Sequence, residues 1–365
     1  MKKTAAFVLL LLVMVSGLSA DADFSGETAF NASVSIPPVE DAWKFTDVSV
    51  RQTFGLDAFG DTTSLSLNAG FVFNASDCSV TPFVSEIYAD LLADKAAIRF
   101  GRQKAAWGVA EILSAVDIIT PSDLSNPVSM EKSAINALKV SYDAFPLSFE
   151  LFWIPVFTPA VLPPMMTAMY QMYGIEIRRP ELSLKNSEVG ARAAAYTSAG
   201  DFALYGYYGW EDMPSMTGEY DRLIMTGASA AVPVGEVTLK AEAAWYPKRD
   251  AVASAMLGLE WIKDDFTFIG EAYGEWDKEK QRLSGQVGAS ISYTMLDGDL
   301  ELSAGGILEL RELDGAVMGG ASYSFSDELK ATAGIVYVFE GKDGPGTYGA
   351  FKDLDSVRLG ASYSF

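Results

Sequence analysis

The 365-residue sequence contains no histidine and only one cysteine, Cys78. Without histidine, Ser-His-Asp hydrolases, histidine zinc sites and histidine-ligated haem are excluded. Only an all-carboxylate site would remain for an enzyme, so we expect no enzymatic activity, no metal site and no cofactor. A single cysteine cannot form an internal disulfide, and stability must therefore come from the fold itself. We expect Cys78 to be an ordinary loop residue.

Basic residues and long apolar runs are also scarce. The chain has 27 Lys and Arg against 48 Asp and Glu, a net charge of −21. Nucleic acid and anionic membrane surfaces are poor partners for so acidic a protein. Beyond the N-terminal segment, no stretch is apolar over the roughly 20 residues that a transmembrane helix needs.

The N-terminal segment has the pattern of a secretory signal peptide. Two lysines precede an apolar run from Ala5 to Val15, and small residues follow. Because this run is too short to cross a bilayer, a membrane anchor is disfavoured. We predict a signal peptide over residues 1–20, cleaved at its end or after residue 22, and one exported domain over residues 21–365.

The exported part repeatedly alternates apolar with polar residues, as a strand with one apolar and one polar face does. In residues 237–246, for example, Val, Leu, Ala, Ala and Trp occupy the odd positions, while Thr, Lys and Glu occupy 238, 240 and 242. About eighteen such runs can be distinguished, with sixteen left open. They begin near residues 24, 45, 63, 82, 95, 134, 146, 187, 201, 222, 236, 251, 266, 282, 299, 315, 328 and 355.

The connections between these runs fall into two classes. Tight turns, most of them with Gly or Asp, follow alternate runs at 59–61, 198–200, 233–235, 263–265, 296–299 and 326–327. The remaining connections include the long ones, near 105–133, 157–186, 211–221 and 340–356. An exported sandwich is disfavoured because its strands are shorter, about 5–6 residues. We therefore predict an all-β fold, a transmembrane antiparallel β-barrel of about eighteen strands with short periplasmic turns and longer outer loops.

The C-terminal residues 357–365 alternate in the same way and end with Tyr363 and Phe365. This ending resembles the C-terminal signature of bacterial outer-membrane barrels. The resemblance implies that these two aromatic residues form the assembly signal. It also implies the barrel-assembly machinery and outer-membrane lipid as partners, and the bacterial outer membrane as the location. A homo-oligomer stays open, because the outer faces of trimeric and monomeric porins read alike.

The connection 105–133 is long for a loop and carries apolar side chains such as Trp107, Val116 and Ile119. Long loops inside compact folds are usually functional or disordered. We expect this loop to fold into the barrel and form a constriction, which would remove its apolar residues from water. A cap on the outside of the barrel is the alternative.

The same region carries Gly101-Arg102-Gln103, Trp107-Gly108, Asp117 and Thr120-Pro121-Ser122-Asp123. It resembles a family of outer-membrane porins known only as a domain of unknown function, whose members carry Gly-Arg-Gln, Trp-Gly, Asp and Asn-Pro-x-Asp in this order. Thr120 departs from the Asn of that pattern. The resemblance is confined to this region and implies a porin-like barrel without naming a substrate. Arg102 and Asp123 are candidates to pair or to line the narrowest part of the pore, with a structural salt bridge as the alternative.

Charged residues on the polar faces of the strands should point into the lumen, because charge facing lipid at mid-membrane costs about 2–4 kcal/mol. The candidate pore-lining and constriction residues are Arg51, Arg99, Arg102, Asp117, Asp123, Lys139, Arg192, Lys240, Glu242, Glu271 and Glu301. Bases are denser in the first half of the strands and acids in the second. This predicts either a transverse field that orients solutes or a solvated wall of mixed charge.

Residues 156–174 form a methionine-rich loop. Its methionines and Trp107 are the candidate ligand-loop residues: Trp107, Met165, Met166, Met169 and Met172. Methionine-rich surfaces suit adaptable apolar binding. We interpret the loop as a lid packed on its own barrel, because an exposed apolar loop is a liability. A mouth for hydrophobic ligands is the alternative.

Together these features predict a porin that lets small hydrophilic solutes or ions diffuse passively across the outer membrane. One alternative is a plugged uptake barrel for a hydrophobic substrate. The other is a non-conducting surface or adhesive barrel. The sequence does not specify the solute or the ion preference.

Overall fold

The computed structural model describes residues 21–36, 45–125, 131–248, 252–278, 281–342, 344 and 346–365. The predicted signal peptide lies outside the described residues, as do residues 126–130. The latter belong to connection 105–133, which is the third connection on its side of the barrel and which we call the third long loop. The described chain forms eighteen antiparallel strands in one sheet. Each strand begins within three residues of the start predicted from alternation, and the predicted fold class is confirmed.

The strands are β1 (Asp21–Ser35), β2 (Phe45–Phe59), β3 (Thr63–Asn74), β4 (Ser79–Leu92), β5 (Ala96–Gln103), β6 (Ile135–Ala144), β7 (Leu147–Ile154), β8 (Glu188–Thr197), β9 (Gly200–Trp210), β10 (Arg222–Val234), β11 (Val237–Tyr246), β12 (Val252–Lys263), β13 (Phe266–Asp277), β14 (Arg282–Met295), β15 (Leu300–Glu309), β16 (Gly315–Ser324), β17 (Leu329–Phe339) and β18 (Ser356–Ser364).

The sheet closes because β1 pairs with both β2 and β18. Phe30 lies opposite Val50 on one side and Ala361 on the other. The last residue takes part in this closure: the Phe365 N–H donates to the Gly26 carbonyl and the Gly26 N–H donates to the Phe365 carbonyl, both at 2.9 Å. A closed sheet has no edge, and in hydrocarbon each unpaired backbone group would cost several kcal/mol.

Alternation along each strand separates an outer face from an inner face. On β11, Leu239 and Trp245 point outward and are exposed, whereas Lys240 and Glu242 point inward and are buried. The outer face carries exposed apolar side chains throughout the barrel, for example Leu257, which is 69% exposed. This surface is suited to lipid, and the inner face is suited to polar groups.

Exposed aromatic residues on the outer face gather at the two ends of the strands. Those near the end that carries the long connections include Trp153, Tyr208, Trp245, Trp276 and Tyr337. Those near the end that carries the short turns include Tyr142, Phe149, Phe202, Phe266 and Tyr363. Along β13, Phe266 and Trp276 are ten residues apart, about 34 Å. A strand tilt of roughly 40° reduces this separation to near the height of about 25 Å of a transmembrane apolar band.

The connections between strands contain a little helix. A helix, α1 (Pro164–Met172), lies between β7 and β8, and short 3-10 helices cover Leu184–Asn186, Leu296–Gly298 and Gly349–Leu354. Alternation did not predict α1. It begins with a proline, whose missing N–H is harmless in the first turn of a helix, and methionine is a good helix former. None of the helices in the described ranges is both long and apolar enough to cross a membrane.

Candidate functional site: the third loop and the lumen

The third long loop, between β5 and β6, runs along the inner wall of the barrel. Near its start, Trp107 packs against Phe152 of β7 and Tyr205 of β9, with ring centroids 6.2 and 5.3 Å apart. At its tip, Leu113 belongs to a buried cluster with Ile307 of β15. We call residues 105–120 the finger. It reaches from β7 to β15 in the half of the lumen nearest the long connections.

Two inward carboxylates hold the finger through its backbone. Glu242 of β11 accepts N–H bonds from Val109 and Ala110 at Oε1 (2.6 and 3.0 Å). At Oε2 it accepts bonds from Ala115 N–H and Ser114 Oγ, both 2.7 Å. Hydrogen bonds to an ionised acceptor are roughly twice as strong as neutral ones. The single Glu242 side chain therefore joins the outgoing and returning halves of the finger.

Glu271 of β13 performs the same task at the tip. Its Oε1 accepts the Glu111 N–H at 2.7 Å, and its Oε2 accepts the Ile112 and Leu113 N–H groups at 2.9 and 2.7 Å. Both carboxylates are almost fully buried, with Glu242 3% and Glu271 4% exposed. Buried backbone N–H groups need acceptors, and the wall supplies them where the finger has no regular secondary structure of its own.

Apolar burial adds to these polar bonds. Trp107, Val116 and Ile119 join a core cluster that includes Phe152 and Met225 on the inner wall. Burying side chains of this size stabilises by roughly 1.5–3 kcal/mol each relative to exposure. The apolar residues that marked the loop in the sequence thus anchor it to the inside of the barrel.

The residues of the sequence motif build the base and the first turn of the finger. Buried Gln103 donates from Nε2 to the Ala137 carbonyl at 3.1 Å. The Thr120 hydroxyl donates to the Ala105 carbonyl at 2.7 Å and closes the neck. Gly108 has φ +92°, and a Cβ there would lie 2.1 Å from Glu242 Oε1. Only glycine combines that backbone conformation with so close an approach.

Asp117 connects the returning half of the finger to the base of the loop. Its Oδ1 accepts the Trp107 N–H at 3.1 Å, and its Oδ2 pairs with Lys132 Nζ at 3.2 Å. The same ammonium donates to the Asp117 carbonyl at 2.8 Å. Lys132, which no sequence pattern marked, therefore helps to hold the loop.

Five predicted site residues need correction. Arg102 lies opposite Ile87, on the face of β5 that carries Ile98 and Phe100, so it faces outward and does not line the lumen. Its Nε donates to the Val84 carbonyl at 3.0 Å. Within the described residues it forms no pair with Asp123. The mistake arose because Arg102 was placed by its motif rather than by the strand alternation, which puts Arg99 inward.

The other four corrections have a common cause. Trp107 is only 3% exposed and therefore unavailable to a ligand, while Glu242 and Glu271 face inward but are covered by the finger. Alternation identifies the inner face, but it cannot show which inner residues a distant loop will cover. Lys240 is also covered, at 6% exposure, and pairs with Glu111 (3.1 Å) and Glu260 (3.0 Å).

The predicted basic residues of β5, β6 and β8 face inward in ion pairs. Arg99 binds Asp90 at 2.7 Å and stacks over Tyr88 at 3.8 Å. Glu150 accepts both Lys139 (3.1 Å) and Arg192 (3.7 Å). This part of the wall is charged but locally neutralised, which favours the wall of mixed charge over a strong transverse field.

The inner wall from β15 through β18 to β2 retains solvent-exposed charges. Glu301, Lys330 and Arg51 all face inward and are exposed. Arg51 lies over the Phe83 ring at 4.5 Å. Exposure of these inward charged groups means that water-accessible space remains inside the barrel, at mid-height beside Arg51 and toward the short turns beside Glu301 and Lys330.

Beyond the finger, toward the long connections, lies a cavity of about 710 Å³ that we call the vestibule. Its polar lining includes Glu111, Asp117, Asp123 and Lys132. Its apolar and aromatic lining includes Met166, Met213, Tyr273, Tyr348 and Phe351. Ligand pockets typically measure about 300–1,000 Å³, so the vestibule can hold a small molecule.

The methionine-rich loop roofs this cavity by packing on its neighbours. The Leu124 N–H donates to the Val161 carbonyl at 2.9 Å, and the buried Tyr170 hydroxyl donates to the Pro214 carbonyl at 3.0 Å. Met166 lines the vestibule, while Met165 and Met172 are exposed and Met169 is half-buried. The alternation could not predict that Met213, Tyr348 and Phe351 line the same cavity as Met166. These four residues come from three different connections between strands.

Asp212, in the connection between β9 and β10, is the titratable group most perturbed in these loops. Burial raises the pKa of Asp212 to about 7, and the charge of Glu188 adds to the rise, while Lys132 opposes it. The Asp212 carbonyl accepts the Ala160 N–H at 3.0 Å. The Asp212 carboxyl, which titrates near neutral pH, therefore lies within the packing of these loops, while the main-chain carbonyl makes the bond to Ala160.

No protein-family model and no curated protein matches this chain. Among solved structures, Pseudomonas aeruginosa OccK2 is similar, with a TM-score of 0.62 at 10% identity over 94% of this chain and 98% of that one. The chain shares its barrel fold with OccK2. That protein is also known in complex with glucuronate, at a TM-score of 0.59 and 9% identity over 95% of this chain and 98% of that one.

Pseudomonas aeruginosa OpdQ is similar as well, with a TM-score of 0.59 at 9% identity over 95% of this chain and 97% of that one. A mutant of the Rh. blastica porin has a TM-score of 0.47 at 12% identity over 94% of this chain and all of that one. At these identities the likeness concerns the fold. The resemblance of residues 101–123 to a porin family of unknown function stays a prediction.

Proposed function

We propose that this protein is an outer-membrane porin through which small hydrophilic solutes or ions diffuse passively. One observation carries the proposal: charged side chains such as Arg51, Glu301 and Lys330 face the lumen and are exposed to solvent, although a loop already occupies part of that lumen. An eighteen-strand ring is wide enough to leave a channel. The finger narrows this channel and sets its size limit.

The outer surface supports a membrane-embedded barrel. Exposed aliphatic side chains lie between two belts of aromatic residues, as in transmembrane barrels. We infer the bacterial outer membrane as the location, with its lipid and the barrel-assembly machinery as partners. Tyr363 and Phe365 are the proposed assembly signal, and an oligomer is compatible with this outer surface.

A plugged uptake barrel for a hydrophobic substrate is the second candidate, favoured by the methionines of the vestibule. The inner wall beyond the finger, toward the short turns, argues against it, because apolar substrates would have to pass exposed Arg51 and Lys330. A non-conducting adhesive barrel would not need a loop held inside the lumen by two buried carboxylates.

Planar-bilayer recording of the refolded protein in a salt gradient tests the proposal. Refolding is first verified by heat-modifiable migration on gels. Steady single-channel current steps are expected, and the reversal potential then gives the ion preference. Folded barrels that insert without conducting would reject the porin function and favour the plugged barrel or the adhesin.

A further inference from the structure

The vestibule has a defined charge as well as a defined volume. Among the described residues, three carboxylates and one ammonium, that of Lys132, line it. Lys132 is already bound twice by Asp117, through the carboxylate and the main-chain carbonyl. A ligand that enters therefore meets unneutralised negative charge rather than an available base.

Asp123 is the carboxylate best placed to bind a ligand. Its Oδ1 accepts the Ser125 N–H at 2.9 Å and the Ser125 hydroxyl at 2.6 Å, which fix its orientation. Within the part of the chain that the structure describes, Asp123 has no Lys or Arg partner. Glu111, the exposed acid of the lining, shares its charge with Lys240 at 3.1 Å.

The rest of the vestibule is apolar or aromatic. Met166 and Met213 contribute thioethers, and Tyr273, Tyr348 and Phe351 contribute rings. Thioethers adapt to apolar ligands of varied shape, and aromatic faces attract cations. A cavity that combines free carboxylate with such surfaces suits a molecule that has a positive end and an apolar body.

We propose that the vestibule binds small organic cations, an ammonium group carried on an apolar body, before they pass the finger. The inference deepens the proposed function, on which it rests, because it names the solute class that this channel concentrates at its mouth. Simple anions are disfavoured there, because Lys132, the basic residue of the lining, is already paired with Asp117. Neutral apolar molecules would gain only from the methionines and rings.

Three probes of matched skeleton test the proposal: phenethylammonium, 3-phenylpropionate and 2-phenylethanol. Calorimetry on the folded protein in detergent measures binding, and interruption of single-channel current measures entry from each side of the bilayer. We expect phenethylammonium to bind at least about tenfold more tightly than 3-phenylpropionate. We also expect it to interrupt current at lower concentration from the side of the long connections.

The decisive variant is Asp123→Asn, which preserves an acceptor for Ser125 and removes the charge. It should weaken phenethylammonium binding about three- to tenfold and leave 2-phenylethanol unchanged. Asp297→Asn, at a turn on the opposite end of the barrel, is the matched control and should have no effect. Glu111→Gln offers a second removal of lining charge should Asp123→Asn misfold, and it too should weaken phenethylammonium binding.

Equal or tighter binding of 3-phenylpropionate, or unchanged binding in both lining variants, would overturn the inference. The two proposals fail separately. A conducting channel without preferential cation binding rejects only the vestibule assignment. Calorimetric binding by a barrel that does not conduct rejects only the porin function.

Discussion

Replacing Glu242 by Gln should loosen the finger without disturbing the barrel. Each carboxylate oxygen of Glu242 accepts bonds from one half of the finger. A glutamine side chain offers one acceptor oxygen, and its amide group presents donors where the other oxygen stood. Whichever way the amide is turned, one half of the finger faces donors instead of an acceptor.

The size of the destabilisation follows from the number of N–H groups that lose their acceptor. In the milder orientation, the N–H groups of Val109 and Ala110 lose their partner, and each unsatisfied buried donor costs about 1–3 kcal/mol. The docked finger should therefore lose about 2–6 kcal/mol relative to its released state. At about 1.4 kcal/mol per factor of ten, local opening increases by at least about 25-fold.

Hydrogen exchange over residues 108–116, followed by mass spectrometry, measures this opening directly. Single-channel recording should show larger current fluctuations, because the released finger moves in the lumen. Heat-modifiable migration should be unchanged, since β11 keeps its pairing with β10 and β12. Glu301→Gln, an exposed lumen acid remote from the finger, is the matched control.

The reasoning fails if Glu242→Gln exchanges at the wild-type rate over these amides and its current is as quiet as that of Glu301→Gln. The carboxylate would then be a neighbour of the finger and not its support. Faster exchange across the whole barrel would also contradict this role, because it would mean that Glu242 stabilises the sheet itself.

Two further predictions concern the same loops. Gly108→Ala should release the finger as Glu242→Gln does, because its Cβ would clash with Glu242 Oε1 and its φ of +92° is strained for alanine. Hydrogen exchange over the finger measures this release. Gly235→Ala, at a positive φ with open space around it, is the control that separates backbone strain from the clash. The pKa of Asp212 in the folded protein is about 7, above its ordinary value of 3.8. The contribution of protonated Asp212 to loop packing is therefore fully present below about pH 4 and is lost as the pH rises through 7. Exchange over residues 211–221, corrected for intrinsic rates, should rise across this range in the wild type and stay flat in Asp212→Asn; parallel pH dependence in both proteins would contradict the assignment.

The barrel could be predicted from sequence because its determinants are local. A period of two residues, one lipid face and tight turns are all visible within a few residues, and strand closure then follows from the cost of a free edge in hydrocarbon. Strand starts are accordingly close to those observed. The short helix α1 was missed because a helical segment of nine residues inside a largely apolar, proline-containing loop has little periodic signal.

The site was only partly predictable because its contacts are remote in sequence. Glu242 and Glu271 were recognised as inward charges, but their partners lie about 130 and 160 residues away on the finger. No local pattern shows that a wall carboxylate will meet a row of loop N–H groups. Arg102 was misplaced for a related reason: the motif marks residues that build the base of the finger, and one of them is on the outer side of the wall.

Removing the finger tests the central claim, a solute channel narrowed by a loop held inside the barrel. Residues 106–119 are replaced by a short glycine linker, which leaves the neck bond from Thr120 to Ala105 in place. Single-channel conductance is then compared with that of the intact protein in the same salt. The account predicts steady steps in both proteins and larger ones after removal. Equal conductance, or none in either folded protein, would contradict it.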